Sequence, residues 1–137
     1  MRATLPLALA AALLAPLPAL AERALTPEEF EALTAGRTMH FDREGAPFGA
    51  EQFFENGRVV WTFEGSDLCQ RGIWFANRAG EICFVYGDSP EPQCWAVLER
   101  PDGRYAARMA GEDPEQDLVS RRIDDEPIEC EDADIGI

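Results

Sequence analysis

The sequence predicts a mainly β chain, an antiparallel meander of about seven or eight strands with one short N-terminal helix. Three observations carry this. Apolar and polar residues alternate from Thr38 onward, the period of a strand. Short bends punctuate the alternating runs, at Asn56-Gly57, Asn77-Arg78-Ala79-Gly80 and Pro101-Asp102-Gly103. Helical spacing is confined to one stretch, "ALTPEEFEALTAGR". Strands joined to their sequence neighbours by short turns favour a meander. One short helix cannot cover a sheet this long. The expected solution is a barrel-like or strongly curled sheet, with the helix plugging or covering one end.

Residues 1–21, "MRATLPLALAAALLAPLPALA", read as a signal peptide: Arg2, a long apolar run and a small-x-small ending at Ala19-Leu20-Ala21. Pro6, Pro16 and Pro18 interrupt the run, and no basic cluster follows, which disfavours a membrane anchor. A single domain over 22–130 and an acidic tail over 131–137 are expected to follow.

Several start and stop signals concur in the helix. Thr26 suits the N-cap and Pro27 the first helical position. Glu29 stands at capping-box spacing from Thr26, and Leu25 and Phe30 occupy the positions of a hydrophobic staple. Phe30 and Leu33 share a face, and Gly36 can end the helix in a left-handed turn.

"TMHF" is then a first strand. "EQFFENGRVVWTFEG" reads as strand, Asn56-Gly57 turn and strand, with Val59, Trp61 and Phe63 on one face and Val60 and Thr62 on the other. "RGIWFANRAGEICFVYG" and "QCWAVLERPDGRYAARM" repeat the plan, and "LVSRRI" is a candidate last strand. "GEDPEQD" reads as a surface loop. "DDEPIECEDADIGI" reads as an extended tail, pinned only if Cys130 is bonded.

The four cysteines are Cys69, Cys83, Cys94 and Cys130. After export they should be crosslinked, with three pairings open. Pleat geometry favours one of them. With the bend centred on Asp88-Ser89, Cys83 and Cys94 oppose each other, on the face of Val85, Ala96 and Leu98. That leaves Cys69 for Cys130. A zinc site or a redox dithiol would want a closely spaced pair, which is absent. No metal site and no cofactor are expected.

The chain carries a formal charge of −14. This opposes binding to nucleic acid or an anionic membrane surface, and favours a monomer or a cationic partner. No nucleophile-elbow, P-loop or zinc-protease motif is present. His40, the lone histidine, reads as a packed strand residue. The 26 acidic residues make any chosen carboxylate pair uninformative, so no catalytic residue is named. The aromatic set around Trp61, Trp74, Trp95 and Tyr86 reads first as core. If part of it lines an open barrel mouth, those four residues are candidate contacts for a small apolar ligand or a partner's anchor residue.

"LCQRGIW", "GEICFVYGDSPEPQCWAV" and the later "PIEC" resemble a family of small secreted alphaproteobacterial proteins of unknown function. Their shared pattern is Cys-x-x-Gly-x-Trp, Ile-Cys-Phe-x-Tyr, Cys-Trp and Cys. The resemblance implies export and a disulfide-bearing β domain, and no reaction. The expected function is a periplasmic or secreted binding domain for an unknown protein or small ligand. The alternatives are an inhibitor of a cationic enzyme such as lysozyme, and an enzyme using carboxylates or His40.

Overall fold

The computed structural model describes residues 21–87, 89 and 91–131. Apart from Ala21, the expected signal peptide lies outside the described residues. So do Asp88 and Pro90 of the bend between Cys83 and Cys94, and residues 132–137 of the tail.

The elements run β1 (Arg23–Ala24), α1 (Pro27–Thr34), β2 (Thr38–Arg43), β3 (Ala46–Phe53), β4 (Arg58–Phe63), β5 (Cys69–Ala76), β6 (Ile82–Tyr86), β7 (Gln93–Glu99), β8 (Tyr105–Met109), a 3-10 turn (Pro114–Gln116) and β9 (Leu118–Asp124). Strands β2 to β9 each pair antiparallel with the next, and β9 returns to β2, so eight strands close a barrel. The two-residue β1 is additional. It pairs with the far end of β7 through Arg23 opposite Glu99 and Ala24 opposite Leu98, beyond the three pairs that β6 makes with β7. "TMHF" is thus the second strand. The segment before the helix is too short to show a period, yet it covers a backbone edge that would otherwise lie open.

Closed hairpins explain the order. The loops at Glu55–Gly57, Arg78–Gly80 and Pro101–Gly103 share one hydrogen-bond pattern. In each, a left-handed glycine takes the third position: Gly57 at φ 80°, Gly80 at 79° and Gly103 at 82°. This is the three-residue hairpin built on a type I turn and a glycine bulge. The Asn56-Gly57 hairpin is therefore one residue longer than a two-residue turn. Phe53 pairs with Val59; a two-residue turn would have paired it with Val60 and sent it outward. A tight turn at Glu44-Gly45 joins β2 to β3, with φ 50° and 77°.

Helix α1 closes the barrel end that carries the three glycine loops. Thr26 and Glu29 form the full capping box: Glu29 N donates to Thr26 Oγ1 at 3.2 Å, and Thr26 N donates to Glu29 Oε2 at 2.8 Å. Leu25 and Phe30 are both buried. The Phe30 ring reaches Phe53 at 5.4 Å and Trp74 at 5.1 Å, both edge-on. Gly36, at φ 73°, ends the helix, and its N–H donates to Phe53 O. The core runs inward from this floor through Met39, Phe41, Val59, Trp61, Ile82, Val97 and Leu118.

The disulfides are Cys83–Cys94 and Cys69–Cys130. Cys83 stands directly opposite Cys94 in the ladder, as the centred bend requires. Their face is the outer one, because the adjacent Ile82 and Trp95 point into the barrel.

The segment after β9 does more than trail. Thr38 Oγ1 donates to Glu126 O at 2.6 Å, Ile128 N donates to Gln52 Oε1 at 2.9 Å, and Glu131 N donates to Asp67 O at 3.1 Å. Residues 125–130 therefore cross the outside of the sheet from β2 to the start of β5, where Cys130 is bonded. The outward-facing Thr38, Ala50 and Val60 are buried. Among the described residues no helix is long and apolar enough to cross a membrane.

Candidate functional site: an aromatic cavity with one buried carboxyl

The barrel interior is not filled. A cavity of about 560 Å³ extends from Phe30 and Phe53 at the helix-covered floor to Arg43, Phe48, Phe63, Gln70, Gln93 and Glu112 at the opposite mouth. An eight-stranded barrel is just wide enough for side chains to occupy, yet this one keeps room inside. Three inward positions, Gly49, Gly72 and Ala107, carry at most a methyl group. Each pairs with an inward neighbour: Gly49 with Phe63, Gly72 with Val59 and Tyr86, and Ala107 with Val97 and Leu118.

These small residues also steer the rings. A Cβ on Gly49 would run into the Trp61 ring, so the indole lies across the bare backbone of β3. A Cβ on Gly72 would overlap Val85 O and meet the Tyr86 ring 2.9 Å away. Tyr86 therefore leans over β5, and its hydroxyl reaches β3 on the far side of β4. There it donates to Glu51 Oε2 at 2.9 Å. The Gly72→Ala variant should lose roughly 2 kcal/mol of stability through this overlap. It should also move Tyr86 off Glu51, read as a red shift or loss of the hydrogen-bonded tyrosine signature in ultraviolet resonance Raman spectra. An unchanged melting temperature and Tyr86 signature would contradict the assignment.

Glu51 is the polar centre of the cavity. It stands in an inward row with Met39 on β2, Trp61 on β4 and Gln70 on β5. The residue is 2% exposed, and its Oε1 has no hydrogen-bond partner. Among the described residues no ion pair joins it to a cation. Burial in this apolar setting pushes its pKa well above the carboxylate range, against the smaller opposing effect of the Tyr86 hydroxyl. Tyr86 is itself raised, first by burial and then by the neighbouring Glu51.

A register shift between Phe41 and Asp42 makes Phe48 an extra residue on β3. That bulge sets its ring at the mouth, where the Arg43 guanidinium lies 4.3 Å above it. The walls continue as ring contacts: Phe41–Trp61 and Phe48–Trp61 at 6.1 Å, Trp61–Phe63 at 5.5 Å, and Phe84 stacked on Tyr86 at 6.1 Å.

Of the four aromatic residues singled out by sequence, Trp61, Trp95 and Tyr86 line this cavity. Trp74 does not. It sits near the helix-covered end of β5, where Phe30 takes its ring edge, and it borders a shallow surface groove beside α1. His40 is likewise elsewhere. Its neighbours in the ladder place it on the outer face, with its side chain 15% exposed and Nε2 3.0 Å from Asp124 Oδ2. Burial first, then the charge of Arg122, lowers its pKa. Glu51 was not singled out by the sequence, where it is one acidic residue of 26. Its period-two spacing from Phe53 is the signal that marks it. All four cysteines are in disulfides, and among the described residues no group of His, Cys, Asp and Glu is placed to hold a metal ion.

Neither protein-family models, nor curated proteins, nor solved structures give a match to this chain.

Proposed function

We propose that the protein is an exported binding domain that holds a small, largely apolar molecule inside its barrel. The observation that carries this is the aromatic cavity of about 560 Å³ with a single buried carboxyl at its centre. Small-molecule sites typically measure ~300–1,000 Å³ and combine apolar walls with a few convergent polar groups. Glu51, Gln70 and Gln93 supply those groups here. Export is supported by the apolar 1–21 leader and by the two disulfides, which persist in oxidising compartments. The resemblance to small secreted proteins points the same way. The strong negative charge fits a soluble domain that avoids nucleic acid and anionic lipid.

The test is titration of the oxidised protein with a neutral apolar fluorophore, N-phenyl-1-naphthylamine. Saturable binding near one per chain is expected, with quenching of tryptophan fluorescence. Ala107→Phe, which fills the cavity from β8, should weaken binding about tenfold or more; Met109→Trp at the rim serves as the independent second block. Absence of saturable binding to the native protein would overturn the reading, as would undiminished binding in both folded variants.

A further inference from the structure

We infer that the ligand is an amphipathic organic cation, a protonated amine carried on an aromatic or aliphatic body, with its ammonium donating to Glu51 Oε1. This rests on the binding function proposed above and adds the chemical class.

The argument begins with what the cavity leaves incomplete. Buried polar atoms in folded proteins are nearly always hydrogen-bonded. Glu51 is 2% exposed, lines the cavity, and has one oxygen satisfied by Tyr86 and the other by nothing. Free of ligand, burial favours the protonated form of Glu51; beside a bound cation the ionised form is favoured, its Oε1 accepts, and the partner that completes it is a donor. An ammonium supplies both the donor and the charge that a buried carboxylate requires.

The walls agree with this choice. Phe41, Phe48, Trp61, Phe63, Tyr86 and Trp95 surround the space. Aromatic faces carry negative potential and attract cations, and the effect strengthens where water is excluded. The protein already places one cation on this wall, the Arg43 guanidinium above Phe48. Its Nε is buried and has no hydrogen-bond partner, so this guanidinium is held at the mouth by the ring. Glu112 stands on the same rim. The formal charge of −14 raises the local concentration of a cationic ligand over an anionic one.

The experiment compares three ligands of one shape by calorimetry at pH 7, on the oxidised protein: 2-naphthylmethylamine, 2-naphthylmethanol and 2-naphthoate. The amine should bind at least about tenfold more tightly than the alcohol, and the carboxylate most weakly. Glu51→Gln should abolish the native preference for the amine, bringing amine and alcohol to equal affinity. The comparison of amine and alcohol on the native protein stands without the variant. Alcohol or carboxylate binding as tightly as the amine would overturn the cation assignment and leave the cavity function standing; a neutral acceptor ligand for a protonated Glu51 would be the conclusion. Equal weakening of amine and alcohol by Glu51→Gln would also overturn it. Failure of all three ligands would bring down the binding function itself.

Discussion

Replacing Cys69 and Cys130 together by serine is expected to lower the unfolding free energy by about 4 kcal/mol. The bond closes a span of 61 residues, and the chain-entropy cost of leaving that loop open is about 4 kcal/mol. The Cys83–Cys94 bond closes a span of 11 and should be worth less, about 3 kcal/mol on the same footing. The longer link also holds residues 125–130 against the sheet. Without it, the hydrogen bonds from Thr38 Oγ1 to Glu126 O and from Ile128 N to Gln52 Oε1, with the exposed Arg37–Asp125 ion pair, would remain to pin this segment. A domain of this size has roughly 5–15 kcal/mol in total, so a fall in melting temperature of more than about 15 °C should follow. The same variant should show fast amide exchange at Ile128, with the interior strands still protected at low temperature. A double-serine variant melting within a few degrees of the native protein would show that the tail does not depend on its crosslink.

The second large effect concerns Glu51. Its native pKa is raised by burial, whereas in the unfolded chain it titrates near ~4.3. Below that value both states hold the proton, and the group costs the fold nothing by ionisation. As pH rises above it, the unfolded chain releases its proton first, so unfolding is favoured. Stability falls by up to ~1.4 kcal/mol per pH unit until the raised native pKa is reached. Glu51→Gln cannot ionise, and its amide oxygen can still accept from Tyr86. The variant should match the native protein near pH 4 and become progressively more stable from pH 5 to 8. Urea melts at pH 4, 6 and 8 would measure this, and parallel pH profiles for the two proteins would refute it. The native protein would therefore retain Glu51 at a cost to its stability, as expected of a residue kept for what it binds.

The helix and the strands were legible because their signals are local. Thr26, Pro27, Glu29 and Gly36 each act within a turn of chain, and the capping box formed as their spacing demands. The Cys83–Cys94 pair followed from one pleat and one bend. The binding cavity was not legible in the same way. Whether Glu51 points inward depends on the loop at Glu55–Gly57 holding three residues rather than two, because a slip of one residue turns every side chain of β3 to the opposite face. The cross-strand pair of Phe53 with Val59 decides that register. Trp74 illustrates the same limit. It shares the inward face of β5 with Gln70, but the covering helix claims its ring while Gln70 opens onto the cavity.

The amino-acid sequence by itself determined the β class, the capped helix and the hairpins at Gly57, Gly80 and Gly103, and favoured the Cys83–Cys94 pair, since each depends on residues adjacent along the chain or opposite one another across a single bend. Tertiary structure alone decided that the sheet closes from β9 back to β2, that residues 125–130 cover its outer face, and that an open interior surrounds Glu51. Those features arise from strands far apart in sequence meeting on one inner surface. The space they leave is a property of the whole ring of strands and is carried by no segment alone.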